Sequence, residues 1–201
     1  VTSHHLKALS LGIDASPVVS YTEEVETKSG GRNYCLPQNN YNNEEVLKII
    51  YELCEEIAIK LRRLKMKGRT IGLYLHGSES CGARKTIVRY TSSGQEIFEI
   101  CSIFFKHTWC ENVPPHQVWK AKYVRQVSVW VGNLVDEQYT TPSMFESPKK
   151  EAVAALCDAI NDRFGHHTIR TGYLVDAPRL HTKPNGYLAD RFHRSTLRNL
   201  H

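Results

Sequence analysis

An α+β domain, a four-stranded sheet with two helices on one face, is the fold this sequence predicts, and three observations predict it. Apolar residues recur at helical spacing over 46–64 and 97–105. They alternate at every second position over 70–76 and 127–131. The segments follow one another as strand, helix, strand, strand, helix, strand. Such a βαββαβ unit packs both helices on one side of its sheet and leaves the other face to solvent or a ligand.

Taken in order, His5-Leu6-Lys7-Ala8-Leu9-Ser10-Leu11 reads as the end of a helix, closed by Gly12 and Ser16-Pro17. Residues 20–27 are acidic and polar and read as a linker, and a strand runs from Lys28 to about Pro37. Asn42 with Glu45 is an N-terminal capping signature. Behind it Val46, Ile49, Ile50, Leu53, Cys54, Ile57, Leu61 and Leu64 line one helical face, and Lys65, Lys67 and Gly68 mark the stop. Ile71, Leu73 and Leu75 then alternate with Thr70, Gly72, Tyr74 and His76; Ser78–Gly82 makes a turn; Lys85–Thr91 returns as a β-branched run. A second helix is predicted over 95–110, with Ile97, Phe98, Cys101, Phe104 and Phe105 inward. After Pro114-Pro115, Val127, Val129 and Val131 mark the last strand. A Pro/Ser/Thr-rich link leads to an extra helix over 150–164, predicted to turn Val153, Leu156, Cys157 and Ile160 inward, and residues beyond about 176 read as a mobile tail.

Composition narrows the function. The chain has 201 residues, 41% hydrophobic and 23% charged, with 26 Lys plus Arg against 21 Asp plus Glu. Those values exclude collagen, low-complexity disorder and a disulfide miniprotein. No apolar run approaches the roughly 18 residues of a membrane span, so the expectation is a cytoplasmic protein with no membrane partner. The sequence opens on Val1 without a signal peptide, which suggests a piece of a longer parent. The six cysteines form no CxxC pair; Cys101, Cys110 and His107 are the nearest approach to a zinc set, and reduced, buried thiols are expected instead. GxxxxGK[ST], GxGxxG behind a strand, HExxH and GxSxG are all missing. Asp14, Asp136, Asp158, Asp162 and Asp176 are scattered, with Asp158 and Asp162 expected on a solvated helix face, so no catalytic residue, metal ligand or cofactor is assigned.

The binding features are richer. Lys28-Ser29-Gly30-Gly31-Arg32 offers small residues whose amides can approach a phosphate between two cations. Arg69 and Thr70 sit at the next strand's start, and Arg84, Lys85 and Arg89 on or beside the strand that pairs with it. Cations at the ends of several strands of an open sheet make a phosphate-tracking surface. The bland reading of the 60–69 basic cluster is a solvated helix end.

These segments resemble the C-terminal part of Y-family translesion DNA polymerases. Leu11-Gly12-Ile13-Asp14-Ala15-Ser16-Pro17-Val18 looks like the exit from the thumb, and Lys28-Ser29-Gly30-Gly31-Arg32 with Leu36-Pro37 like the family's KSIG(R/H) strand opening. Lys67-Gly68-Arg69-Thr70-Ile71 resembles the KGRTV entry to the second strand; Thr86-Ile87-Val88-Arg89-Tyr90-Thr91 the strand carrying a phosphate-contacting arginine; and Val127-Ser128-Val129-Trp130-Val131-Gly132-Asn133-Leu134 the closing GVSVSNL strand. Gly31 departs from the pattern, standing where an apolar residue is usual. The ending, Arg163-Phe164-Gly165 with Ile169-Arg170, is similar to the bacterial, Gram-positive-type UV-damage repair branch.

The resemblance implies thumb end over 1–19, linker over 20–27, little-finger DNA-binding domain over 28–137, linker over 138–148, helical segment over 149–175 and tail over 176–201. It implies a region that grips primer–template duplex while the catalytic palm, with its Mg²⁺, lies elsewhere in the parent, and service in the SOS response. It also implies a sliding-clamp peptide, for which Ser143, Met144 and Phe145 stand in the right place without the motif's Gln and first Leu. Two other readings stay open. One is a single-strand-binding module of the RNA-recognition type, stacking bases on Tyr74 and Tyr90, although its signature string is missing. The other is an adaptor acting through residues 141–145 and the last helix.

Overall fold

The structure, a computed structural model, describes residues 3–14, 27–110, 122–140, 148–165, 167–177 and 180. Helix α1 (Ser3–Ser10) buries none of its residues. Strand β1 (Ser29–Asn40), helix α2 (Asn43–Arg63), strands β2 (Met66–Gly77) and β3 (Ser80–Thr91), helix α3 (Gly94–Phe104) and strand β4 (Val124–Gly132) follow in the expected order. All pairings are antiparallel and the sheet runs β1-β4-β2-β3, with a two-residue strand β5 (Val135–Asp136) on the start of β2. The last long strand is thus inserted between the first two, which makes β1-α2-β2 a split βαβ unit. Right-handed crossovers on strands of opposite direction bring both connecting helices to one face, where α2 and α3 pack together.

Local chemistry sets the helix ends. Asn42 Oδ1 accepts the amides of Glu44 at 2.9 Å and Glu45 at 3.4 Å, capping α2. At its other end Lys65 takes φ +52° and turns the chain into β2. The core lies between the helices and one sheet face: Val46, Ile50, Leu53, Ile57 and Leu61 of α2 meet Ile71, Leu73, Leu75, Val127, Val129 and Val131 of the central strands.

Four expectations are corrected. The helix over 95–110 is not uniform: α3 ends at Phe104, and Phe105–Cys110 continue as a π-helical turn that buries both Phe105 and Trp109. Thr108 Oγ1 donates to Phe104 O at 2.6 Å, supporting a carbonyl where the winding changes. The thiols are not uniformly buried, for Cys35 and Cys110 are exposed while Cys54 and Cys101 lie in the core. Burial pushes the Cys54 thiol well above its ordinary pKa.

The third correction concerns helix α4 (Pro148–Phe164). Val153 and Leu156 point outward, 59% and 63% exposed. Cys157 and Ile160 are half-buried as expected, and beside them the helix makes polar contacts. Arg62 donates to the Asp158 carboxylate from Nε and Nη2 at 2.6 and 2.8 Å and to Ser92 O at 2.9 Å. Arg63 pairs with Asp162, and Lys67 with Glu151 at 2.6 Å. Asp158 is therefore not on a solvated face, whereas Asp162 is exposed as expected, and part of the basic cluster is paired by this helix. Asp158→Ala removes a two-pronged, half-buried partner of Arg62 and is expected to cost α4 about 2 kcal/mol. Amide exchange over 150–164 should accelerate more than tenfold while β2 and β4 keep their protection.

Fourth, packing continues past 176. After a short 3₁₀ turn (Gly172–Leu174), Leu174, Ala177 and Leu180 are buried against the domain. Arg170 Nη2 lies 2.8 Å and His167 Nδ1 3.1 Å from the two oxygens of Glu52, a buried carboxylate of α2. Tyr51 stacks on Phe98 with centroids 4.2 Å apart, and Tyr173 sits 5.9 Å from Tyr51. The rest of the predicted tail, residues 178, 179 and 181–201, lies outside the described residues.

Candidate nucleic-acid interface

The pairing register decides which side chains share the open face. Because successive strand residues alternate sides, the core residues Ile71, Leu73 and Val129 assign their neighbours to the opposite surface. Four cross-strand rows result: Ser29, Gly132, Thr70 and Thr86; then Gly31, Trp130, Gly72 and Arg84; then Asn33, Ser128, Tyr74 and Gly82; then Cys35, Gln126, His76 and Ser80. None of these positions carries a carboxylate, whereas Glu44, Glu45, Glu52, Glu55, Glu56, Glu96 and Glu99 all lie on the two helices behind.

Hydroxyls and amides cover much of this face and are held by one another. Asn33 Oδ1 accepts from Gln126 Nε2 and Ser128 Oγ, each at 3.0 Å. Thr70 and Thr86 hydroxyls are 2.9 Å apart, and Asn133 Nδ2 donates to Thr70 Oγ1 at 2.7 Å. Asn133 reaches this position with φ +50°, a conformation asparagine tolerates better than most residues. At one end of the face a hollow of about 440 Å³ is lined by Lys28, Ser29, Thr70, Arg84, Thr86, Trp130, Gly132 and Asn133. Its two cations stand on β3 and just before β1, on opposite edges of the sheet, with hydroxyl and amide donors between them. That arrangement suits an anion spread along a chain.

The predicted site residues divide. Lys28, Ser29, Gly31, Thr70 and Arg84 belong to the open face or its rim. Gly30 and Arg32 have the opposite parity. A Cβ on Gly30 would point at Leu61 of α2, and Arg32 Nε lies 3.1 Å from Glu56 Oε2 on the same helix. The expectation that Arg32 projects from the open face is therefore overturned by strand parity. Lys85, opposite Ile71, also belongs to the helix-side set, exposed because β3 is the edge strand. The ladder jumps from Thr86 to Thr91, leaving Arg89 exposed in the bulged stretch 87–90. Arg69 is half-buried at the same irregularity, its guanidinium 5.4 Å from the Tyr90 ring centre. Ser143, Met144 and Phe145 lie outside the described residues.

The family model described as the impB/mucB/samB family C-terminal domain matches residues 27–144, more than half of the sequence. The chain belongs to this family. Among curated relatives it is 31% identical over 172 residues to DNA polymerase IV of Pelotomaculum thermopropionicum, covering 84% of this chain and 40% of that protein. It is 27% identical over 165 residues to the putative UV-damage repair protein UvrX of Bacillus subtilis, covering 79% of this chain and 37% of the relative. The chain thus spans about 40% of the length of these curated relatives. A solved Y-family DNA polymerase chimera aligns over 66% of this chain and 35% of its own at 16% identity, with TM-score 0.46. The βαββαβ unit, from β1 to β4, lies inside the matched residues.

Four residues of this impB/mucB/samB domain's hollow were missed as site residues by sequence reasoning: Thr86, Trp130, Gly132 and Asn133. The signal existed. Trp130 interrupts the Val127, Val129, Val131 alternation on the side that must face away from the core. Among the described residues no group of three or more His, Cys, Asp and Glu is placed to hold a metal ion, and no helix is long and apolar enough to cross a membrane.

Proposed function

We propose that the open sheet face grips primer–template duplex by its phosphates, serving a parent lesion-bypass polymerase whose Mg²⁺-dependent nucleotidyl transfer is carried out by other parts of that protein. The carrying observation is the carboxylate-free face with Lys28 and Arg84 on either side of a hydroxyl-lined hollow. A polyanion approaching the helix layer meets glutamates; approaching the sheet it meets donors and cations. Contacts of this kind carry little sequence information, which suits a region that must hold any template. The Ser143-Met144-Phe145 peptide is proposed as a sliding-clamp ligand on sequence resemblance alone.

The test is the slope of log affinity for duplex against log salt. Arg84→Ala and Lys28→Ala should each flatten it by about 1, because each removes one phosphate contact. Arg32→Ala should leave the slope within error, since that guanidinium is engaged behind the sheet, and Lys48→Ala, paired with Glu44 at 3.4 Å, should do the same. A slope unchanged by Arg84→Ala and Lys28→Ala but lowered by Lys48→Ala would move the DNA to the helices.

A further inference from the structure

We infer that Trp130 is a stacking platform for an unpaired nucleobase, so that the open face binds single-stranded DNA beside the duplex. This rests on the reading of that face as the DNA surface and names a second substrate class for it. Three glycines clear space around the indole. A Cβ on Gly72 would fall 2.2 Å from Cε2, 2.4 Å from Nε1 and 2.5 Å from Cζ2, and one on Gly132 would fall 3.2 Å from Cζ3. Opposite edges of the ring thus lie over glycines of β2 and β4. The half-buried ring lies over the glycine backbone of β2 and β4, at the hollow it helps to line. On the far side Gly31 pairs with Trp130, and a Cβ there would be 3.2 Å from the Trp130 Cβ and 3.2 Å from Val129 O. Gly31 therefore sits beside this indole as well.

Phosphates do not account for such a ring. An indole offers a backbone oxygen one N–H and no charge, which leaves most of its ring unused, and the bases inside a closed duplex present no free π-face. An unpaired base does. Single-strand binding sites combine aromatic platforms with cations that follow the backbone. Here Arg84 occupies the same cross-strand row as Trp130, and Lys28, Thr70 and Thr86 line the same hollow. Tyr74, 42% exposed on the neighbouring strand one row away, offers a second ring at diagonal cross-strand spacing. Tyr90, the other aromatic considered for base stacking, is covered by Arg69.

The experiment titrates the full chain with three labelled DNAs: a short oligothymidylate, an abasic strand of the same length, and a blunt duplex. The wild type should prefer the base-bearing strand over the abasic one by about tenfold. Trp130→Ala should abolish that preference and Trp130→Phe should retain most of it. Arg84→Ala should weaken both strands in parallel and leave their ratio intact. A wild type that binds duplex but does not distinguish the two strands overturns the platform and leaves the duplex grip standing. One that distinguishes them without binding duplex overturns the duplex grip and supports the platform. A preference that survives Trp130→Ala overturns the platform, and failure to bind any of the three DNAs overturns both.

Discussion

Glu52→Ala is expected to destabilise the domain by about 3 kcal/mol and to free the segment over 165–180 from α2. Glu52 is only 2% exposed, and its two oxygens face Arg170 and His167 from a segment more than a hundred residues later in sequence. Removing one member of a buried pair leaves the other charge uncompensated, at roughly 3–5 kcal/mol. Here Arg170 can escape only by peeling away the segment that also buries Leu174, Ala177 and Leu180. Urea denaturation measures the loss, and proteolysis at 165–180 should begin before the sheet unfolds. Glu52→Gln, which keeps the shape and one acceptor, should cost less. A loss under about 1 kcal/mol with unchanged proteolysis would show that the segment is held by its apolar residues alone.

Gly77→Ala is expected to cost about 3 kcal/mol. A Cβ there would lie 1.9 Å from Tyr123 O and 3.0 Å from Val124 Cα, so the clash is with backbone and no side chain can swing aside. The place matters because the register between β2 and β4 shifts between His76 and Gly77, and Ser78 N donates to Tyr123 O at 3.0 Å. Relieving the contact requires β4 to leave β2 where the sheet's central pair ends, an overpacking cost at the upper end of the usual range. Thermal unfolding reads the effect. A melting temperature equal to wild type would mean that the loop before β4 absorbs the methyl.

The fold was legible because its periodicities were long and clean. The α2 stripe from Val46 to Leu61, the Ile71-Leu73-Leu75 alternation and the three valines of β4 all reappear as buried residues. What sequence could not give was strand order. Only the insertion of β4 between β1 and β2 puts Trp130 beside Gly72 and Gly31, and only the bulge before Thr91 takes Arg89 out of the ladder. Arg32 was misread for a related reason: glycines on both faces of 29–33 hide the parity that a run of apolar residues would have shown. In α4 the predicted stripe divides: Cys157 and Ile160 are half-buried, while Val153 and Leu156 face outward. The end of α2 that this helix meets is basic, and the contacts between them are ion pairs, Arg62 with Asp158 and Arg63 with Asp162, which an apolar periodicity does not register.

The placement of DNA on the sheet is tested most directly by amide and indole chemical-shift mapping of the chain on addition of a short primer–template duplex. Perturbations are predicted at Ser29, Gly31, Thr70, Arg84, Thr86, Gly132 and Asn133, spreading across all four strands from the hollow at one end of the sheet. Perturbations confined to the outer surfaces of α2 and α3, with those strand signals unmoved, would contradict it.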